Sequence, residues 1–368
     1  MKGADMLNRK YKICVYAICK NESAFVERWY ESVRDADLVL VTDTGSDDDT
    51  VKRLRDYGAE VHEMKAEPFR FDVCRNYCME FIPQDFDICI SIDLDEVMQS
   101  GWRSAIEEAW QPDTGRGRYL FNWSLRDDGT PEVQYYYDRI HARKNYRWIY
   151  PTHEILEYTG EGSEKQTFIP GLVINHYPDK EKNRSFNLPL LRLAVEESGG
   201  SARNLHYLGR EYMYAGMWQS CIDTLLCHLK PGVSDWDEER SASMRFIARA
   251  YGMLGNRLEQ KRWLFRAIAE TPFLREPYVE AAQAAYELGE WEAVYFFAAE
   301  ALRIKEKSFN YANEIFAWDS HPYDLAAIAS FRLGRFDDAV RFSEFALETE
   351  PHNERLKENH KLYISKIQ

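Results

Sequence analysis

Two aspartates one residue apart, in Asp93-Leu94-Asp95, close the apolar run of ICISIDLDEV. Side chains of an extended segment alternate with period two, so the spacing predicts both carboxylates on one side. Two carboxylates on one edge can share a divalent cation. Mg²⁺ or Mn²⁺ held in this way keeps open positions for substrate phosphates and offsets charge on a departing diphosphate. A second acidic cluster, Asp43-Thr44-Gly45-Ser46-Asp47-Asp48-Asp49-Thr50, follows the run DLVLVT. There Gly45 permits a tight turn, and Ser46 or Asp47 is expected to cap a helix starting near residue 50. Asp43, at the strand end, is placed to accept hydrogen bonds from a base or ribose.

These carboxylates need elements to carry them. ICVYAIC (13–19), DLVLVT (37–42), AEVHEM (59–64) and FDICISID (86–93) read as strands. ESAFVERWYESVRDA (22–36), VKRLRDYG (51–58) and FDVCRNYCMEFI (71–82) read as helices between them. Strands alternating with helices predict parallel pairing and an α/β layer fold, with ligands beyond the carboxyl ends of the strands. Both acidic clusters follow such strands directly.

After residue 200 the strand signals vanish and helix pairs recur. Gly216, Gly255, Gly289 and Gly334 mark the repeat, spaced 39, 34 and 45 residues apart. A period near 34 with glycine between paired helices is the tetratricopeptide signature. Leu205, Leu208, Gly209 and Tyr212 fit its first half; Ala339, Ala346 and Pro351 fit its second. The longer spacings imply insertions, the larger at 305–322. Residues 179–200 connect the halves, with Pro189 expected to interrupt a helical pattern and Gly199-Gly200 to end it. The predicted domains are 1–178, a connector 179–200, and helical repeats 201–368.

Composition sets the outer limits. The 368 residues are 45% hydrophobic and 29% charged, which excludes a disordered or collagen-like chain. A net charge of −14 argues against broad binding to a nucleic-acid backbone. No apolar stretch approaches the roughly 20 residues of a membrane span, and the first residues lack the apolar core of a signal peptide. Seven cysteines, an odd number, predict reduced thiols and a cytoplasmic setting. Trp123, Trp148 and Tyr135 to Tyr137 offer aromatic faces, either for sugar stacking or for core packing.

In order and spacing, VYAICKNE, LVLVTDTGSDDDT, an Arg-Asn pair within a helix, and ISIDLDE resemble the donor half of family 2 glycosyltransferases with the GT-A fold. RIHARKNYRWIYPTHEILEY (139–158) resembles that family's Arg-rich strand and His-Glu segment. VINHYPDKEKNR (173–184) resembles a bacterial subgroup that carries C-terminal tetratricopeptide repeats and includes the sublancin-type peptide S-glycosyltransferases. The resemblance implies an α/β, Rossmann-like nucleotide-sugar-binding domain followed by an all-α repeat domain. It implies metal-dependent, inverting transfer from a nucleotide-diphosphate sugar, with UDP-sugars favoured and Mn²⁺ or Mg²⁺ as cofactor. Lys20, Asn21 and Glu22 then close the nucleotide pocket, Asp43 and Gly45 face the base, and Arg75 and Asn76 lie beside the donor. Asp93 and Asp95 straddle the cation and the ribose-diphosphate around Leu94, and His176 is the third metal ligand. Lys180, Lys182 and Arg184 form a basic lid over the diphosphate. Glu154 is the expected acceptor base, with His153 positioning it or contacting the acceptor and Asp138 and Asp127 as competitors. Asp43-Thr44 departs from the two consecutive acids that many relatives carry, which weakens inference about the nucleotide.

The repeats point to a peptide or protein acceptor, or to a dimer contact; a glycolipid, polysaccharide or modified nucleobase is the alternative acceptor. A catalytically silent binding scaffold is the rival from another class. A nucleotidyltransferase is a further rival, and the absence of glycine from Lys20-Asn21-Glu22-Ser23 counts against it.

Overall fold

The computed structural model describes residues 9–179 and 187–367. Lys180, Lys182 and Arg184 lie outside the described residues. The chain divides into two compact units, Met1–Ala194 and Val195–Gln368.

In the first unit, β1 (Ile13–Cys19), β2 (Leu38–Asp43), β3 (Glu60–Glu63) and β4 (Ile88–Ser91) pair in parallel in the order β3-β2-β1-β4. Three helices link them: α1 (Val26–Val33), α2 (Thr50–Tyr57) and α3 (Phe71–Glu80). Every residue of β1 is buried. Its Ile13, Val15 and Ala17 share a core with Trp29 of α1 and Leu54 of α2. Its Cys14 and Tyr16 pack on the other face with Cys78 and Met79 of α3. A strand covered on both faces reads as a continuous apolar run rather than an alternating one. α2 ends at Gly58, whose φ of 108° lets its N–H reach the carbonyls of Leu54 and Arg55.

The sheet then turns mixed. β5 (Glu96–Met98), β6 (Arg116–Leu125), β7 (Pro131–Ala142) and β10 (Gln166–His176) complete eight strands in the order β3-β2-β1-β4-β7-β6-β10-β5. β7 runs antiparallel to β4 and to β6, β10 runs parallel to β6, and β5 runs antiparallel to β10. β8 (Tyr146–Ile149) and β9 (Ile155–Tyr158) form a ribbon of their own. α4 (Trp102–Ala109) packs Trp102 and Ile106 into the main core. Pro189, expected to interrupt a helical pattern, follows closely on residues outside the described ones. It is the third described residue of α5 (Asn187–Glu197).

The second unit is a tetratricopeptide-like array of helix pairs. The pairs are α6 (Ala202–Tyr214) with α7 (Trp218–His228), α8 (Asp237–Met253) with α9 (Arg257–Glu270), α10 (Arg275–Glu287) with α11 (Trp291–Arg303), and α12 (His321–Arg332) with α13 (Phe336–Thr349). α14 (Glu354–Ile364) comes last. The four marker glycines lie between the helices of each pair, with φ of 70°, 76°, 71° and 75°. Gly209 of α6 has a different reason: a Cβ there would stand 2.3 Å from Leu225 Cδ2 of α7.

Candidate active site

The expected extended Asp93–Asp95 segment is instead a tight turn. β4 ends at Ser91, the Glu96 N–H donates to the Asp93 carbonyl at 3.0 Å, and the Glu96 carboxylate accepts the Asp93 N–H at 2.9 Å. A reversing backbone cannot hold the period-two alternation, so the two carboxylates part company. Asp93 is engaged by two buried arginines, accepting from Arg75 Nη2 at 2.9 Å and from Arg139 Nη1 at 2.9 Å. Arg139 also pairs with Glu96. Against its burial, the two guanidiniums hold the Asp93 carboxyl well below the usual carboxylate range. Burial, with Asp93 and Asp95 close by, pushes the Glu96 carboxyl up against the pull of Arg139.

Asp95 faces the other way. Its Oδ2 stands 3.4 Å from His176 Nε2 at the end of β10. His176 is fixed from behind, with Nδ1 3.0 Å from the Trp123 carbonyl and its ring stacked on the Trp123 indole at 4.6 Å. Burial disfavours the His176 cation, yet the Asp95 carboxylate outweighs it and raises the pKa. A histidine whose Nδ1 bonds a carbonyl presents Nε2 as a ligand atom. Two adjacent ligands of an octahedral Mg²⁺ at ~2.1 Å stand ~3 Å apart, so the Asp95–His176 pair fits such a cation with small adjustment. Among the described residues no group of three or more His, Cys, Asp or Glu side chains is arranged to hold a metal. The expected set of Asp93, Asp95 and His176 is therefore not assembled: Asp93 turns to Arg75 and Arg139, and Asp95 and His176 stand as a pair.

The loops after β1 and β2 are zipped together. The Asn21 N–H donates to Ser46 Oγ at 2.8 Å, the Asp47 N–H to Asn21 Oδ1 at 2.9 Å, and the Glu22 N–H to Thr50 Oγ1 at 2.8 Å. The buried Asp43 carboxylate accepts from the N–H groups of Gly45 and Ser46, both at 3.0 Å. Its oxygens thus shape the turn, which is a structural role beside the expected one of base recognition. The expected caps of α2 are corrected: neither Ser46 nor Asp47 caps it, and Asp48 accepts the Thr50 N–H at 2.9 Å. Asp48 wins because it lies two residues before its donor, the spacing of an Asx turn.

Between these loops and the Asp93–Glu96 turn opens a cleft of about 1040 Å³. Lys20, Asn21, Glu22, Gly45, Asp93 and Asp95 line it, and Lys65, Phe69 and Phe71 form another part of its wall. This is the size of a small-molecule site.

The remaining expected residues fall behind this surface. Arg75 is buried and also donates from Nε to Glu154 Oε1 at 2.6 Å, so Glu154, Arg75 and Asp93 form one chain of charges. Asn76 clamps β8, exchanging two bonds of 2.8 Å with the Trp148 backbone. Trp148 is core, its Nε1–H donating to Tyr16 at 2.8 Å, whereas Trp123 is 40% exposed. Asp138 pairs with Arg116 at 3.2 Å. His153 takes a left-handed backbone conformation, φ 49°, one residue before Glu154. Among the described residues, Glu154, His153 and Asp138 do not line the cleft. Sequence reasoning missed Arg139 and Glu96. The only sequence signal for Arg139 was its place in the Arg-rich run 139–147.

No family model matches the chain, and no curated protein matches it. The chain is similar to solved structures of helical-repeat proteins over about half its length. MamA matches at 18% identity over 46% of this chain and 89% of its own, with a TM-score of 0.37. PilF of Pseudomonas aeruginosa matches at 11% identity over 48% and 72%, with a TM-score of 0.38. YrrB, described as a TPR protein with an unusual peptide-binding site, matches at 13% identity over 47% and 81%, with a TM-score of 0.35.

Proposed function

We propose that the first unit is a divalent-cation-dependent glycosyltransferase of GT-A type. It takes a nucleoside-diphosphate sugar, with UDP-sugars favoured, into the cleft at the carboxyl ends of the parallel strands. It passes the sugar with inversion to an acceptor, a peptide or protein side chain. The observation that carries this reading is the Asp95–His176 pair at the rim of strands whose loops enclose a cleft of nucleotide-sugar size.

In this reading Asp95 and His176 hold Mn²⁺ or Mg²⁺, which supplies compensation for diphosphate charge when bound. Lys20 brings a second positive charge to the cleft. Asp93, fixed by Arg75 and Arg139, offers acceptor oxygens toward the ribose. Glu154 enters as a positioning residue that holds Arg75. Inversion needs in-line placement of donor and acceptor rather than an enzyme nucleophile. Release of nucleoside diphosphate rather than pyrophosphate, from a donor panel incubated with Mn²⁺, tests the reaction class. Glu154→Gln is expected to slow donor hydrolysis and transfer equally. Loss of transfer alone would return Glu154 to the role of acceptor base.

A second reading, a partner-binding scaffold, belongs to the helix array. It is favoured by the turn at residues 310–314, whose Tyr311 and Glu314 side chains already rest on α8 of the array. Peptide partners are read by such arrays along a row of helices.

A further inference from the structure

Trp123 is the aromatic residue that neither the core nor the cleft absorbs. Trp148 is buried, and Tyr135 and Tyr137 pack against the main core. Trp123 stays 40% exposed, and among the described residues it does not line the cleft. A large apolar side chain kept at a solvent edge needs a local reason.

The backbone supplies one. On the β7 side of β6, Asn122 faces Gln134 and Ser124 faces Val133, so two steps along β6 meet one along β7. Trp123 is the extra residue of a bulge, which bends the strand and re-aims the side chain. On the β10 side, Phe121 pairs with Ile174 and Asn122 with Asn175, which brings Trp123 alongside His176. Bulge and register together carry the indole onto the imidazole, centroids 4.6 Å apart at 28°. The Trp123 carbonyl lies 3.0 Å from Nδ1 of the same ring. One residue thus touches His176 twice, through its main chain and through its side chain.

The two contacts do different things. The carbonyl selects the nitrogen left for a ligand: Nδ1–H donates to it, and Nε2 is turned toward Asp95. A single hydrogen bond does not hold the ring plane, because the torsion about Cβ–Cγ of histidine is broad. The stacked indole closes one face of the ring and limits its tilt. Phe121 stands farther off, at 6.1 Å, and belongs to the main core. Asp95 is held by its main chain, its carbonyl accepting the Tyr177 N–H at 2.7 Å, and His176 is paired with Glu96 across β10 and β5. The orientation of the imidazole is the coordinate these main-chain bonds leave open, and Trp123 governs it.

We propose that Trp123 is a positioning residue of the cation site. It fixes the His176 ring so that Nε2 and the Asp95 carboxylate present two adjacent ligand atoms. The role rests on the reading of Asp95 and His176 as cation ligands, and Trp123 acts through His176 rather than by touching the donor.

The test uses the full chain with isotope-labelled histidine, and the probes are Mn²⁺ alone and Mn²⁺ with UDP. Paramagnetic resonance reads both the affinity for Mn²⁺ and the coupling of a histidine nitrogen to it. The native chain is expected to show that coupling, and His176→Gln to lose it. Trp123→Leu, with the circular dichroism of the native chain, is expected to lose the coupling and to weaken Mn²⁺ binding about tenfold or more, the usual loss when the partner of a ligating histidine is removed. Trp123→Phe restores a stacking ring and is expected to recover the coupling, with affinity within about threefold of native. Native affinity and native coupling in Trp123→Leu would overturn the positioning role and leave the cation site standing. A Trp123→Leu chain that keeps the coupling and loses only UDP would make Trp123 a donor contact, which also overturns the proposal. A native chain with no histidine nitrogen on Mn²⁺ would bring down the cation ligands themselves, and this role with them.

Discussion

Arg75 holds two carboxylates at once, Glu154 and Asp93, from a position 3% exposed. Removing the guanidinium strands both. Arg75→Met should cost about 3–5 kcal/mol, the usual penalty for breaking a buried pair from one side, read as a drop in urea midpoint. Arg75→Lys should recover little, because an ammonium lacks the fork that reaches both partners. Asp95→Asn, by contrast, should abolish cation-dependent ligand binding while the chain still folds, since Asp95 lines the cleft and the amide keeps the size of the carboxylate and an oxygen toward His176. Two buried histidines set an acid limit. His141 and His206 are held from 6.5 down to about 3, first of all by burial. Below pH 6.5 the unfolded chain binds protons that the folded chain refuses, so stability is fully present above 6.5 and is lost as pH falls toward 3. Each contributes about 1.4 kcal/mol per pH unit in that window. The melting temperature should fall from pH 7.5 to 5.5, and His206→Gln should flatten the fall; an unchanged slope would contradict the assignment.

At the scale of elements, close helix packing is tested at Gly209. Alanine there gains about 1 kcal/mol of helix propensity but drives a Cβ to 2.3 Å from Leu225 Cδ2 and 2.4 Å from its Cγ. Overpacking of this kind costs about 1–3 kcal/mol, so Gly209→Ala should destabilise the array, measured by chemical denaturation. The elements divide by how openly the sequence announces them. β1, β2 and β4 were legible because burial on both faces writes unbroken apolar runs. The four turn glycines were legible because a left-handed residue between paired helices strongly favours glycine. The hairpin of β6 and β7 was not. Arg116, Arg118 and Arg139 and the Tyr135–Tyr137 run break its alternation, and their partners, such as Glu164 for Arg116 and Asp93 for Arg139, lie far off in sequence. The same holds for the site. Asp95 and His176 were legible by type and by position after a strand. The turn that separates Asp93 from Asp95 was not, because it is set by Glu96 folding back onto the Asp93 N–H.

For the whole molecule, a net charge of −14 narrows where an anionic donor can be received. Lys20 and Lys65 line the cleft beside Glu22, Glu67, Asp93 and Asp95, so in the proposed reading a bound cation is needed there to receive an anionic donor. The array of helix pairs carries its own balanced patch of arginines and carboxylates on Arg245, Arg249, Glu280 and Glu314. In the proposed reading the first unit receives a small anionic ligand, and the helix array a polypeptide. Calorimetric titration of the full chain with UDP-, GDP-, dTDP- and CMP-sugars in Mn²⁺ is the decisive measurement for the first surface. Saturable binding of one donor is expected, lost on adding EDTA and lost in Asp95→Asn with the fold intact. A folded native chain that binds no donor, or one whose binding survives both EDTA and Asp95→Asn, would contradict the cation-dependent donor site.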